Sequence, residues 1–481
     1  FPDQERFIRQ ITTNTYDVVG ITSIVANVGK VERMCQLVRQ HLPDATIVVG
    51  GHVAGLPDLE NRIDADHIVR GDGIRWMRRY LAEDVSQPVV HPKIISGVSP
   101  RAFGVKLSVE PGDVAATLIP SVGCPMGCNF CSTSAMFGGK GRYVHFYETG
   151  DELFDVMQLL ERDMKVRTFF VMDENFLLHR KRALRLLDLM AKNDKSWSLY
   201  VFSSANVLQM YTMDQLVALG VSWVWMGLEG EHTSYAKLKG VDTKELVRAL
   251  QSHGIHIVGS TIIGLENHTP DNIHAAIEHA VSHDTEFHQF MLYTAVPGTP
   301  LHAEQQAAGT LLDPRECSDA DAHGQLKFNF RHPHFHDGQE TSLLRQAFLR
   351  DFEINGPSVI RVVRTILTGW QRYKNHADRR IRNRFAREAR SLATVHAGAA
   401  WAARKWFRSD PAVSERISRV LKEIYTECGL KARLAAPMIG RYLHHTLNGE
   451  ARRLRQGRTY EPPTFCETNA KAIVRSVGAI A

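Results

Sequence analysis

The chain has 481 residues, 44% hydrophobic and 23% charged, a balance that fits a folded protein of two or three domains and excludes a disordered or fibrous chain. No run of about 18 apolar residues occurs, so no membrane-spanning helix is expected, and seven cysteines are too few and the wrong parity for a disulfide framework. The net charge of +6 hides an asymmetry: residues 341–460 carry 25 Lys/Arg against 9 Asp/Glu, whereas residues 1–340 carry 31 against 41. The basic character belongs to one C-terminal segment, which points to a partner for that segment.

The chain opens at Phe1 in what reads as mid-domain, so the first domain, residues 1–100, is expected to be incomplete at its N-terminus. Apolar runs at 16–22, 46–50 and 67–69 alternate with a helical pattern at 31–40. Strand–helix alternation at this spacing indicates a parallel, doubly wound sheet of flavodoxin/Rossmann-like type, which binds its ligand beyond the carboxyl ends of the strands. Those ends carry Thr22 and Ser23, then Gly50, Gly51 and His52, then Gly71, Asp72 and Gly73. Small and hydroxyl-bearing residues there let backbone approach a bulky ligand closely.

The second domain is expected over residues 112–310. It begins with a strand-like Ala-Thr-Leu-Ile-Pro segment followed by Gly-Cys-Pro-Met-Gly-Cys-Asn-Phe-Cys, which places Cys124, Cys128 and Cys131 on one tight loop. A cubane [4Fe–4S] cluster normally takes four cysteines. Three thiolates leave one iron open to a substrate or cofactor, so the loop reads as a site of chemistry rather than of electron transfer alone. Zinc would want a fourth ligand, usually from a second pair, and none lies in register. Cys35, Cys317, Cys428 and Cys466 are scattered and read as ordinary thiols. Such a centre favours a reducing compartment, the cytoplasm.

Strands are then expected at 168–172, 198–203, 223–227, 256–263 and 287–294, with helices at 181–192, 214–219 and 243–253 between them. This is the order of a partial (β/α) barrel of the TIM type, whose catalytic groups gather at the C-terminal ends of the strands. Asp173, Glu174 and Asn175 stand at the first of these ends, Ser203, Ser204 and Asn206 at the next, then Glu229, and Ser260 within the fourth strand. Taken singly, each reads equally well as a helix cap or solvated loop residue.

Residues 320–481 form a mostly helical, basic C-terminal region. His332, His334 and His336 alternate and would share one face of a strand, so a zinc site is considered there. More simply, this stretch covers the barrel mouth or contacts substrate. Arg379, Arg380, Arg382, Arg384, Arg387 and Arg390 form the densest basic run, interleaved with Trp370, Tyr373, Phe385, Trp401, Trp406 and Phe407. Solvated amphipathic helices are one reading. An anionic surface is the other, and without a recognisable RNA-binding module a membrane leaflet is favoured over nucleic acid.

The loop at 124–131, Phe130 included, resembles the cluster motif of the radical S-adenosylmethionine (SAM) enzymes. The resemblance extends through residues 173–175, Met-Gly-Leu-Glu-Gly at 226–230, Gly-Ser-Thr-Ile-Ile-Gly at 259–264, and Tyr293 with Val-Pro-Gly-Thr-Pro-Leu at 296–301. It implies that SAM chelates the open iron and yields a 5′-deoxyadenosyl radical. It further implies SAM-binding roles for Phe130, Asp173, Glu174, Ser204, Glu229 and Ser260. The Gly-Gly turn and the Gly-Asp-Gly at 71–73 resemble the cobalamin-binding domain that precedes the radical domain in one large subgroup. That implies cobalamin contacts at Thr22, Ser23, Gly50, Gly51 and Gly71. The histidine motif that supplies cobalt in other cobalamin proteins is absent, and His52 is the one strand-end histidine. Across nearly its whole length the chain resembles the cobalamin-dependent radical SAM methyltransferases, and in residues 121–180 and the basic tail the hopanoid C-3 methylases. The resemblance implies methylation of an unactivated carbon, a membrane lipid as substrate, and a ferredoxin- or flavodoxin-type reductant. Cobalamin-linked rearrangement or cyclisation is an alternative, as is RNA modification, though the second cysteine cluster of the RNA-modifying methylthiotransferases is missing.

Overall fold

Two runs rich in β-branched residues, Val18–Thr22 (β1) and Thr46–Gly50 (β2), pair in parallel from Val18 against Thr46 to Thr22 against Gly50. His67–Ile68 (β3) adds to the far side of β2. The computed structural model describes residues 4–96, 101–102, 105–106, 114–229, 238, 240–336 and 338–457. Cys466 and Gly230 of the motifs above lie outside the described residues. Helix Val28–His41 turns Val28, Val31, Cys35 and Val38 onto this sheet, where they meet Ile21, Ile47, Val49, Val53 and Leu59. The expected parallel α/β first domain is what forms.

Among the described residues the second sheet has seven strands. Ile95–Ser96 (β4) runs antiparallel at one edge, followed by Ala115–Leu118 (β5), Thr168–Val171 (β6), Ser198–Phe202 (β7), Val221–Gly227 (β8), His256–Ile263 (β9) and Phe287–Leu292 (β10). They lie in chain order, β10-β9-β8-β7-β6-β5-β4, and every pair from β5 to β10 is parallel, as in an open barrel. One face of these strands, with Phe169, Leu199, Val201 and Val224, packs against helices Gly150–Met164 and Arg180–Lys192 in the main core. The alternate positions carry an aromatic ladder across the barrel interior: Phe170 against Phe202, with ring centroids 5.8 Å apart, and Phe202 stacked on Trp225 at 5.2 Å. The expected strands and helices of this region form to within a few residues of the positions read from the sequence.

The linker ahead of β5 is pinned to the barrel. Tyr147 donates its hydroxyl hydrogen to the Val89 carbonyl at 2.9 Å, and the Ile119 N–H donates to His91 Nε2 at 2.9 Å.

The C-terminal region is helical as expected, with helices Gln339–Asn355, Ser358–Tyr373, Arg379–Glu388, Ala397–Trp406 and Pro411–Arg455. The arginine run, however, faces the surface only in part: Arg379 and Arg390 are exposed, whereas Arg380, Arg384 and Arg387 between them turn toward the barrel. Arg380 and Arg384 are buried. Arg384 donates to Glu388 at 3.1 Å and to the Val217 carbonyl at 3.0 Å, and Arg387 donates to the Ser196 carbonyl at 2.9 Å. Glu388 in turn accepts from Ser198 at 3.0 Å and Ser222 at 2.9 Å. The run therefore docks the C-terminal helices onto the floor of the barrel, where strand-start carbonyls need donors. Linear charge density could not reveal this, because the carbonyl acceptors come from the turn before β7 and from the end of the helix before β8.

Candidate functional site

The cysteine loop leaves β5 at the barrel rim. The Cys131 N–H donates to the Cys128 carbonyl at 3.0 Å, and Cys131 then caps the short helix Ser132–Met136. Ser134 donates its hydroxyl hydrogen to the Cys124 carbonyl at 2.7 Å and so closes the loop on itself. Asn129 ties the loop to the opposite side of the barrel: its side-chain amide donates to the Tyr293 hydroxyl at 3.0 Å, and its carbonyl accepts from the Leu301 N–H at 3.1 Å. Phe130 meets Tyr293 edge to face at 6.2 Å. Ser134 and Asn129 escaped the sequence reading, since only the spacing of the cysteines carried a signal.

The three thiols are half-buried and close enough to influence one another. Burial is the main reason that the Cys124 thiol is pushed up to about 11, with its two neighbours adding to the shift. A bound cation is what would convert such thiols to thiolates. Among the described residues no three His, Cys, Asp or Glu side chains converge on one point as for a single ion. The histidine triplet does not fit zinc, because both ring nitrogens of His332 are already engaged. His332 is buried with Nε2 3.1 Å from the Gly264 carbonyl, and its Nδ1 accepts from the N–H groups of His334 and Phe335 at 3.1 and 3.2 Å. It is a structural histidine.

Around the loop the strand ends bring most of the expected residues to one rim. The Glu174 carboxyl lies beside the Gly123 backbone, next to Cys124, and burial is the main cause of its rise to about 7. At the next strand end, Asn175 donates to the Ser204 hydroxyl at 3.1 Å and accepts from Ser203 and from the Ser204 N–H at 3.2 Å each. Ser204 donates on to Asn206 at 2.7 Å. Buried Glu229 ends β8 two residues after Gly227, which pairs in register with Ser260 of β9, so both come to the same edge of the rim.

Asp173 is held by partners within the chain. Its buried carboxylate is taken by Arg182 at 2.8 Å, by the Asn175 N–H at 3.1 Å and by the Ser121 hydroxyl. It positions the loop that carries the cysteines.

The first sheet presents its strand ends to this rim. The turn after β2, His52–Gly55, and the turn at Gly71 both pack on the short helix that Cys131 caps, Gly71 against the end of that helix at Met136. At Gly298 (φ +87°) an added Cβ would sit 2.8 Å from the Gly55 carbonyl, so the Pro-Gly-Thr turn and the first domain touch backbone to backbone. Gly51 (φ +81°) is tighter: an added Cβ would lie 2.6 Å from Thr22 Oγ1 and 2.7 Å from the Ser23 carbonyl. Thr22, Ser23, Gly50, Gly51 and Gly71 thus cluster at one end of the sheet, beside the cysteine loop. His52 lies in the turn after β2, and burial lowers its basicity, which keeps the imidazole neutral. Gly51→Val should strain this turn by about 1–3 kcal/mol. Cobalamin retained through gel filtration would then fall about tenfold or more, with cluster absorbance unchanged.

A radical SAM superfamily model matches residues 118–280, and a B12 binding domain model matches residues 1–79. An uncharacterized methyltransferase of Pyrococcus horikoshii is 26% identical over 375 residues, 69% of this chain and 78% of its own. The hopanoid C-2 methylase of Rhodopseudomonas palustris is 24% identical over 337 residues, 65% of this chain and 62% of its own, so the match spans under two thirds of that relative. Among solved structures, the radical SAM methyltransferase TsrM of Kitasatospora setae, with cobalamin and a [4Fe–4S] cluster bound, shares the fold with a TM-score of 0.51 at 17% identity, over 81% of this chain and 92% of that one.

A three-cysteine loop at a parallel barrel rim, faced by the strand ends of a B12-binding sheet, defines a two-cofactor radical protein. The chain combines a radical SAM domain with a B12-binding domain, and its named relatives include methyltransferases of that kind. Its cofactors are a [4Fe–4S] cluster, SAM and cobalamin. Chemistry of this class also requires a reductant and a small-molecule substrate.

Proposed function

We propose that this chain methylates an unactivated carbon of an apolar polycyclic lipid of the hopanoid kind. The observation that carries the reading is the packing of the His52–Gly55 and Gly71 turns on the helix capped by Cys131, which sets the two cofactor cradles side by side at one rim. Bound there, the cluster with SAM would supply a deoxyadenosyl radical and cobalamin a transferable methyl group. Cys124, Cys128 and Cys131 hold the cluster. Glu174, Glu229, Ser204 and Ser260 supply the rim's acceptors and donors for SAM, and Phe130 walls the loop against Tyr293. Thr22, Ser23, Gly50, Gly51 and Gly71 admit the corrin edge. Beneath the rim, Phe170, Phe202 and Trp225 exclude water from the floor on which a radical must survive.

An apolar substrate is favoured by this aromatic floor and by the similarity to a hopanoid methylase. A ferredoxin- or flavodoxin-type protein would deliver the electron, in the reducing cytoplasm that keeps the thiols available. No helix among the described residues is long and apolar enough to cross a membrane. The test is anaerobic turnover of the reconstituted protein with methyl-deuterated SAM and a lipid extract. A product heavier by one labelled methyl group is expected. Deoxyadenosine formed with no labelled product would point to rearrangement or cyclisation.

A further inference from the structure

The last helix is inverted with respect to side-chain size. Beyond Gly429, which is non-helical (φ +59°), its inner face is built from Ala432, Ala435, Ala436 and Gly440. Those small residues let it approach helix Ala397–Trp406 so closely that a Cβ added at Gly440 would lie 2.5 Å from the Trp401 ring. The large apolar residues point the other way: Leu430 is 78%, Leu434 74% and Met438 67% exposed. A helix stabilised only by its own core would place leucine inward and alanine outward.

The three exposed residues recur at every fourth position and form one stripe. Lys431 and Arg433 flank it, one on either side of the helix. Continued at the helical period, the same face carries exposed Arg441, His445, Arg452 and Arg455. The single acidic residue between Gly429 and Gly457 is Glu450, on the opposite side and ion-paired to Arg453 at 2.6 Å. Large apolar anchors flanked by cations and continued by a cationic strip match the acyl–headgroup boundary of an anionic leaflet.

We propose that this face of the last helix docks the protein on an anionic lipid surface, with Leu430, Leu434 and Met438 inserted and the Lys/Arg residues on the headgroups. This differs from the membrane reading of the arginine run, which is consumed in docking the C-terminal helices to the barrel. It also stands apart from the identity of the methylated carbon.

The full chain, reconstituted with its cofactors, is floated with vesicles of phosphatidylcholine alone or mixed with phosphatidylglycerol. Flotation with the anionic vesicles only, weakening as salt rises, is expected. Leu434→Gln with Met438→Gln should cut the bound fraction about tenfold, and Arg452→Glu with Arg455→Glu comparably. In each case the melting temperature and SAM cleavage should be unchanged. Absence of binding at low salt, or equal binding to neutral vesicles, overturns the proposal. Loss of a dimer on Leu434→Gln with flotation unaltered would assign the stripe to a second copy instead. A fall in melting temperature would mean that the stripe is covered within the chain.

Discussion

Replacing Cys124, Cys128 or Cys131 by alanine abolishes the iron–sulfur absorbance and reduces SAM cleavage to background, read by anaerobic visible spectroscopy and deoxyadenosine release. Each thiolate of a three-cysteine cubane holds a separate iron, so no remaining thiolate can substitute for a missing one. Asp173 does not replace it, because its carboxylate is taken by Arg182. Cys317→Ala is the control, because Cys317 lies on a separate segment, buried beside the Glu316–Ser318 turn. It should leave both readouts intact. Retention of the cluster in any of the three loop variants would remove the central claim.

Arg182→Met carries the largest expected cost in stability. Arg182 and Asp173 are each 3% exposed, and their ion pair at 2.8 Å is reinforced by a bond from Arg182 to the Tyr147 carbonyl at 3.0 Å and by the Phe176 ring 5.3 Å beneath the guanidinium. Removing one member of such a pair leaves a buried, uncompensated charge, worth about 3–5 kcal/mol of folding stability. Chemical denaturation of the apoprotein measures it. The double variant Arg182→Met with Asp173→Asn should recover part of the loss, because no isolated charge remains. Asp173 also holds the Ser121 hydroxyl three residues before Cys124. SAM cleavage in Arg182→Met should therefore fall about tenfold even under conditions where the protein stays folded, through misplacement of the loop. Unchanged stability would show that the pair is not buried as described.

Much of this was legible in the linear sequence. The barrel strands are β-branched and aromatic runs bounded by glycines and helix caps, so local pattern located them. The cysteine loop was legible because its three ligands lie within eight residues and need no tertiary contact to be recognised as a set. The rim residues followed from topology, since the ends of parallel strands must share one edge. Asn129 and Ser134 were not visible, because each acts by bonding backbone or side chains brought close only by folding. The partners of Asp173 were hidden for the same reason: a carboxylate at a strand end looks available until Arg182, nine residues on, turns back across it.

The basic tail shows the division most sharply. Composition determined that the C-terminal segment is cationic and helical, and local periodicity determined the α/β order before it. Which cations are spent internally was decided only by tertiary structure. The arginines at 380, 384 and 387 answer carbonyls and a half-buried Glu388 on the barrel floor, whereas those beyond residue 440 line an exposed face with leucines that face outward. Charge is a property of each residue and can be counted along the chain. Whether a charged side chain is buried depends also on carbonyls more than 150 positions away, and only the packed fold brings them into contact.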